Sequence, residues 1–228
     1  MHADLAHRLT QLRAQIRQAA QAAGRSEDSV TLVAVCKGQS LAAVQALAHL
    51  GVEHCGESYL QEALPRMQQL AGAELTWHFI GRLQANKTRP VATHFSWVHA
   101  LDRARIAERL DAQRSPLLPP LNVCLQVKLA DDPTKGGCAA DEVGELAALV
   151  QRLPRLRLRG LMCMLPAGLD AAAQSAHFQG LQRLQQALNA GGAQLDTLSM
   201  GMSDDFQLAI AAGATLVRIG TALFGPRP

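Results

Sequence analysis

Eight short apolar segments alternate with helix-like segments along this chain, and that alternation limits its possible folds more than any other feature. The strand-like segments occupy residues 30–35, 53–58, 75–81, 95–101, 121–128, 156–164, 195–200 and 215–220. Regular alternation of strands and helices predicts a parallel sheet covered by helices. Eight such units in 228 residues fit a single α/β domain, a (β/α)8 TIM barrel over residues 1–228.

One extra helix is predicted in front of the first strand. Its apolar residues recur at spacings of three and four, at Leu5, Leu9, Leu12 and Ile16. A doubly wound open sheet is the alternative fold. It would normally carry a G-x-G-x-x-G segment after strand one, and residues 35–40, Val-Cys-Lys-Gly-Gln-Ser, do not match that pattern.

Composition and charge exclude several classes of partner and site. The formal net charge is +3 and no Lys/Arg block stands out, which argues against binding to nucleic acid or to an anionic membrane. The N-terminal residues lack the apolar core of a signal peptide, and no apolar run is long enough to span a bilayer. Five cysteines without a C-x-x-C pair predict neither a disulfide framework nor a zinc site. We therefore expect a cytoplasmic protein. The strand histidines His54, His78 and His99 show no metal spacing, and ordinary core or surface histidines are expected.

Lys37 directly follows the first apolar strand, and Gly38-Gln39-Ser40 then opens a helix. Side chains at the carboxyl ends of parallel strands carry the chemistry of β/α barrels. One interpretation of Lys37 is a solvated lysine at the strand exit. The other is a partly buried amine that forms a Schiff base, either with a cofactor or, as in aldolases, with a sugar phosphate.

Ser203, Gly220 and Thr221 follow the seventh and eighth strands, where TIM barrels often bind phosphate. Ser203 precedes a helix, Gly220 lets backbone amides approach an anion, and Thr221 adds a hydroxyl. The alternative is a helix-capping serine and a glycine packed at a barrel corner. Asp204 and Asp205 are expected to point away from such a phosphate.

A phosphate site across the barrel mouth from a strand-one lysine suggests pyridoxal 5′-phosphate (PLP), with its aldehyde on Lys37. Arg218 would then lie near the pyridine nitrogen. Because arginine stays charged, it would keep that nitrogen unprotonated and weaken the ring as an electron sink. An ion pair at the barrel mouth is the alternative role for Arg218.

Seven short motifs occur together in a fixed order: Val33–Lys37, Gly56–Tyr59, Trp77–Gly81, Leu83–Lys87, Arg159–Met162, Ser199–Asp205 and Val217–Gly225. In combination they resemble the pyridoxal phosphate homeostasis proteins, the YggS or PROSC family, from about residue 5 to the last residue. That family has the barrel of the alanine racemase N-terminal domain. The resemblance implies that Lys37 is the Schiff-base lysine and that Arg218 lies near the pyridine nitrogen. It also implies phosphate contacts from Ser203, Gly220 and Thr221.

Ser58, His78 and Met202 lie within these motifs and complete the predicted set of cofactor contacts. Ser58 departs from the family's Gly-Glu-Asn pattern. Serine is shorter than asparagine, so a contact made by the amide would be lost or would pass through water. Cys36 stands where the family has serine and is expected to point away from Lys37.

The resemblance implies a protein that binds PLP, buffers it and delivers it to PLP-dependent apo-enzymes without substantial turnover. A PLP-dependent amino-acid racemase is the alternative. Racemisation needs an acid/base group on each face of the substrate Cα. Alanine racemases supply the second group as a tyrosine from a C-terminal β domain, which we expect to be absent here, and Tyr59 is predicted to lie at the barrel mouth. A monomer is expected. Lys135, in the loop after the fifth strand, is either a second amine site for PLP in transit or a solvated lysine.

Overall fold

The computed structural model describes residues 2–130, 132 and 135–225. Its strands are β1 Thr31–Val35, β2 His54–Glu57, β3 Thr76–Phe79, β4 Trp97–Leu101, β5 Leu121–Gln126, β6 Leu156–Met162, β7 Thr197–Ser199 and β8 Leu216–Ile219. Its α-helices are α1 His2–Ala22, α2 Leu41–His49, α3 Leu60–Gln69, α4 Thr88–His94, α5 Ala104–Gln113, α6 Val143–Gln151, α7 Ala171–Ala190, α8 Phe206–Ala211 and α9 Thr221–Phe224. Two short 3-10 helices cover Glu27–Ser29 and Ala85–Lys87.

The eight strands close into a barrel in chain order, and each is parallel to its neighbours. Closure is made by β1 and β8, where Val33 pairs with Arg218. This pairing sets the exit of strand one beside the loop that follows strand eight. The predicted (β/α)8 barrel with an extra N-terminal helix is confirmed, and the open-sheet alternative is excluded because an open sheet would have two unpaired edges.

The strands are shorter than their apolar segments predict. The segment 75–81 contains the four residues of β3, and the segment 195–200 contains the three residues of β7. Ile80 and Met200 lie beyond the strand ends, yet both are buried. An apolar residue therefore indicates burial in the core and not pairing with a neighbouring strand, because the core extends past the ends of the strands.

The extra helix α1 packs against α8 and α9. Its predicted apolar face, which includes Leu9 and Leu12, is buried in the main core. Arg8 Nε donates a hydrogen bond to the carbonyl oxygen of Leu223 at 2.9 Å. The first helix is thus tied to the segment that follows strand eight. Within the described ranges, no helix combines the length and apolarity needed to cross a bilayer.

The barrel interior contains both apolar and polar side chains. A small apolar cluster there includes Val33, Trp97 and Met162. Buried among the strands are also the polar side chains of His78, His99, Ser199 and Arg218. Buried polar groups are costly unless they are hydrogen-bonded, so the partners of these four side chains shape the site described below.

Gly160→Ala is expected to destabilise the barrel, because β6 and β7 approach too closely for a side chain at this position. An added Cβ would overlap the backbone carbonyl of Thr197, which cannot move without disturbing the pairing of Gly160 with Thr197. We expect a loss of about 3 kcal/mol in the free energy of unfolding, the upper end for overpacking, measured by urea denaturation. Gly144→Ala is the matched control: in α6 its added Cβ meets no atom within 4 Å, and stability should stay equal or rise. A Gly160→Ala variant as stable as the wild type would contradict this packing.

Candidate functional site

The strand exits surround a cavity of about 800 Å³ at the mouth of the barrel. Its polar lining residues come from several loops and include Lys37, Ser58, Tyr59, Arg82, Gln84, Lys87 and Arg103. Four of these residues are lysine or arginine, and no carboxylate lines the cavity within the described residues. The mouth of the barrel therefore suits an anionic ligand.

Lys37 reaches this cavity because of the side-chain alternation along β1. Val33 belongs to the interior cluster, whereas Ala34 and Cys36 pack in the outer core between barrel and helices. The next position, Lys37, returns to the inner side and lines the cavity. Cys36 is fully buried, so the expectation that it points away from the lysine is confirmed.

A brace of side chains holds the loop that carries Lys37. Glu62 Oε2 accepts a hydrogen bond from the Gly38 amide at 2.7 Å. Arg66 Nη2 donates to the Gln39 carbonyl at 2.6 Å, and its Nη1 pairs with the buried Glu57 carboxylate. Burial raises the pKa of Glu57 to about 7, against the opposing effect of Arg66. Sequence reasoning missed this brace, because its members come from two elements with no shared motif.

The loops after β7 and β8 meet at Ser203. The amide of Ala222, at the start of α9, donates a hydrogen bond to Ser203 Oγ at 3.1 Å. Thr221 is exposed beside it. Ser203, Gly220 and Thr221 are therefore brought together, as their positions after strands seven and eight predict. The alternative role of Ser203, as cap of the helix that follows it, is not what the structure shows, because α8 begins at Phe206 without a side-chain cap.

The prediction for the two aspartates is half wrong. Asp204 is exposed, as expected, but Asp205 is buried and turns back into the loop. Its Oδ1 accepts a hydrogen bond from the Met202 amide at 2.6 Å. The cause is that this amide would otherwise lie unpaired in a tight turn, where Gly201 adopts a φ of +95°.

Arg218 lies in the barrel interior with only 4% of its surface exposed. One terminal nitrogen donates to Ser199 Oγ at 2.7 Å, and the other donates to the Cys163 carbonyl at 2.8 Å. Neither partner is a carboxylate, so these contacts do not support the alternative of an ion pair at the mouth. Burial lowers the pKa of Arg218 below its ordinary value.

Ser58, His78 and Met202 have different surroundings. Ser58 lines the cavity. Gly81 packs closely on the backbone of Ser58, and a side chain at position 81 would overlap the Ser58 carbonyl. Met202 is 36% exposed in the turn after β7. His78 is fully buried, and both of its ring nitrogens lie within 3.0 Å of nitrogens of other histidines. The roles of all three as cofactor contacts stay predictions.

Lys135 is half-buried in the loop after β5, and its amide donates to the Asp132 carbonyl at 3.2 Å. Its neighbours Asp131, Pro133 and Thr134 lie outside the described residues. Its role as a second amine site stays a prediction. The strand histidines are core histidines bonded to one another, as expected. Across the described part of the chain, no group of three or more His, Cys, Asp and Glu side chains could hold a metal ion.

Comparison with known proteins supports one family. The chain matches the family described as alanine racemase, N-terminal domain, over residues 8–228. It is 53% identical over 223 residues to the pyridoxal phosphate homeostasis protein of Pseudomonas aeruginosa, covering 98% of this chain and 96% of that protein. The protein of the same name from Escherichia coli strain K12 is 46% identical over 227 residues, with 98% of this chain and 97% of that protein covered.

Solved structures agree with this assignment. PipY of Synechococcus elongatus PCC7942, solved with PLP bound, matches at a TM-score of 0.87 and 38% identity, covering 97% of this chain and 100% of that one. The alanine racemase of Corynebacterium glutamicum matches at a TM-score of 0.71 and 16% identity, covering 95% of this chain and 61% of that one. At that level of identity the second similarity supports the fold alone.

Proposed function

This chain belongs to the pyridoxal phosphate homeostasis proteins, which share the alanine racemase N-terminal domain barrel, and we propose that it binds PLP at the barrel mouth. In this proposal the protein holds the cofactor, buffers it and releases it to PLP-dependent apo-enzymes. A relative of the chain, PipY, has been solved with PLP bound.

One observation carries the proposal. A hydrogen bond at Ser203 joins the loops after β7 and β8, and β8 lies beside β1, the strand that leads to Lys37. Ser203 Oγ accepts from the Ala222 amide, and this leaves its hydroxyl proton to donate to an anion. β8 pairs directly with β1, so Lys37 and Thr221 follow neighbouring strands. Lys37 lines the mouth cavity, and the hydroxyls of Ser203 and Thr221 follow the next two strands around the barrel. This arrangement would suit an aldehyde and a phosphate on a single ligand.

Gly220 fits this interpretation. Its φ of −114° lies outside the left-handed region that favours glycine. An added Cβ would meet Val35 at 3.5 Å, which is an ordinary contact. The fold therefore tolerates a side chain here, and we infer that the space beside the Gly220 backbone is kept for a phosphate oxygen.

Lys37 is proposed to hold the cofactor covalently. Its amine nitrogen would bond to the aldehyde carbon of PLP, and a water molecule would leave, giving a Schiff base. When bound, PLP supplies an electron-withdrawing ring. Arg218 would lie near the ring nitrogen. Its positive charge would keep that nitrogen unprotonated, and the ring would then be a weaker electron sink. Its buried contacts to Ser199 and Cys163 fix the guanidinium in place.

The direct test is a titration of the purified apo-protein with PLP, followed by absorption spectroscopy. We expect saturable growth of a visible band at one equivalent, and its loss on reduction with borohydride. A protein that shows no band and does not retain PLP on gel filtration would rule out the proposed function. It would also return Lys37 to the aldolase-like or solvated interpretations.

Ser203→Ala combined with Thr221→Ala is expected to weaken PLP binding while the protein stays folded. Each hydroxyl would donate a charge-assisted hydrogen bond worth about 1.5–3 kcal/mol, or about ten- to a hundredfold in affinity. The matched control is Thr10→Ala with Thr93→Ala, two exposed hydroxyls bonded to carbonyls of their own helices. Equal PLP affinity in the double variant and the control would eliminate the phosphate site.

A racemase is the second candidate, because the barrel is shared with alanine racemase. Tyr59 is 56% exposed at the rim of the mouth cavity, which is a poor place for a group that must protonate a substrate Cα away from water. We expect no exchange of the Cα hydrogen of L-alanine in D2O at enzymatic rates, about 1–10³ per second. Exchange with inversion at such rates would favour the racemase over the binding protein.

A further inference from the structure

A row of hydrogen-bonded side chains crosses the barrel interior and ends on Arg218. His54 Nδ1 lies 3.0 Å from His78 Nε2, and His78 Nδ1 lies 2.8 Å from His99 Nε2. His99 Nδ1 then lies 2.7 Å from Ser199 Oγ, which accepts from Arg218. We call His54, His78, His99 and Ser199 the histidine row. Its first member is half-exposed at the start of β2, and the other three are fully buried.

The chemistry of Arg218 and Ser199 sets the direction of these hydrogen bonds. A guanidinium only donates, so Ser199 Oγ must accept from Arg218. The hydroxyl proton of Ser199 then needs an acceptor, and among the described residues the hydrogen-bonding neighbour that can accept it is His99 Nδ1. If His99 donated instead, that buried hydroxyl proton would be left without an acceptor, which is costly.

Each further bond follows from this start. His99 accepts at Nδ1, so its proton is on Nε2 and is donated to His78 Nδ1. His78 in turn carries its proton on Nε2 and donates it to His54 Nδ1. All three rings are then neutral with the proton on Nε2. Burial lowers the pKa of each of the three rings, which agrees with neutral histidines.

We propose that the histidine row is a positioning device for Arg218, and that protonation of His54 reverses its hydrogen bonds as far as Ser199. A second proton on His54 must occupy Nδ1, the atom that accepts from His78. One proton is taken up from water, and His78 and His99 each change from an Nε2 to an Nδ1 proton. His99 then donates to Ser199 Oγ, so Arg218 and His99 share this oxygen as acceptor and the serine hydroxyl proton loses its hydrogen bond to His99.

His54 is the natural entry point because its face of the barrel is open. A cavity of about 440 Å³ adjoins it. The charged residues that line this cavity are Arg13 and Arg17 of α1, Glu27 and Asp28 of the first 3-10 helix, and Glu53 before β2. The negative charge of Glu53 favours protonation of His54. On the inner side the nearest titratable groups are His78 and His99, and beyond them Arg218 disfavours a proton on His99.

The test of the row itself uses apo-protein with 15N-labelled histidine and NMR of the ring nitrogens. At pH 7.5 we expect His54, His78 and His99 to be protonated on Nε2 alone. On acidification, the His78 and His99 signals should change tautomer together with the titration of His54. In His54→Gln, whose amide oxygen can still accept from His78, the two inner rings should keep the Nε2 proton. If the rings in Ser199→Ala were still protonated on Nε2 alone, the serine would not set the direction of the hydrogen bonds. Protons on Nδ1 of His78 or His99 in the wild type at pH 7.5 would overturn the proposed hydrogen bonds of the histidine row.

The link to Arg218 at a cofactor rests on the proposed function and needs a second measurement. PLP affinity is measured against pH in the wild type and in His54→Gln. We expect an additional change of about fivefold in the wild type across the titration of His54, the lower end for coupled sites. Identical pH profiles would overturn the coupling to the cofactor. A wild type that does not bind PLP would overturn the proposed function instead, and the NMR result would still decide the row.

Discussion

Lys37→Ala is expected to abolish covalent attachment of PLP while leaving a weaker, reversible association. Lys37 is the lysine at the inner side of the β1 exit, where it lines the mouth cavity. The proposed contacts from Ser203, Thr221 and Arg218 do not involve this amine, so the variant should still bind PLP. Borohydride reduction followed by peptide mass mapping measures the result: label on the peptide that contains Lys37 in the wild type, and no label in the variant.

Lys87→Ala and Lys128→Ala are the matched controls for this experiment. Lys87 lines the same cavity, whereas Lys128 follows the end of β5. Both variants should be labelled at Lys37 to the same extent as the wild type. Label found mainly on Lys87, Lys128 or Lys135 in the wild type would show that Lys37 is not the attachment site.

Acidification should lower the free energy of unfolding of the barrel, because its buried histidines resist protonation. Burial, followed by the charges of Arg218 and His54, lowers the pKa of His99 to about 3 from its ordinary 6.5. Burial and the neighbouring histidines lower the pKa of His78 as well. Below pH 6.5 the two histidines are protonated in the unfolded chain but stay neutral in the folded protein. The contribution of His99 is therefore complete above pH 6.5 and is lost as the pH falls toward 3, by about 1.4 kcal/mol per pH unit.

His99→Asn isolates this effect, because asparagine can still contact Ser199 but does not titrate. The comparison is needed because burial raises the pKa of Glu57 to about 7, which stabilises the folded state as the pH falls from about 7 toward 4.5. From pH 6.5 to 4.5, the stability of the wild type relative to His99→Asn should fall by about 2 kcal/mol, measured by urea denaturation at each pH. A constant difference for His99→Asn would mean that His99 is protonated in the folded protein.

The fold was predictable because its signals are local. Eight apolar segments separated by amphipathic helices leave few alternatives to a closed barrel, since parallel strands need helical crossovers. The predicted strand ends were less accurate. Ile80 and Met200 are apolar because they are buried in the core, even though they no longer pair with a neighbouring strand.

The positions of three candidate residues were predictable, because each lies within four residues of the end of a strand. Lys37, Ser203 and Thr221 occupy such positions, and a barrel gathers all strand exits at one end. Asp205 was placed wrongly, because its hydrogen bond to the Met202 amide depends on the shape of one turn. The brace of Glu57 and Arg66 on the Lys37 loop escaped notice, since its bonds join residues 9 and 27 positions apart.

The sequence by itself determined the barrel, the family and the position of Lys37 at the end of the first strand, because periodicity and motifs are properties of neighbouring residues. Only the tertiary structure decided what the interior polar side chains contact. His54, His78, His99, Ser199 and Arg218 lie on five different strands, and a residue's strand position does not say which partner it meets across the barrel. Closure brings these strands together, and the exclusion of water then favours hydrogen bonds among the few buried donors and acceptors that lie near one another.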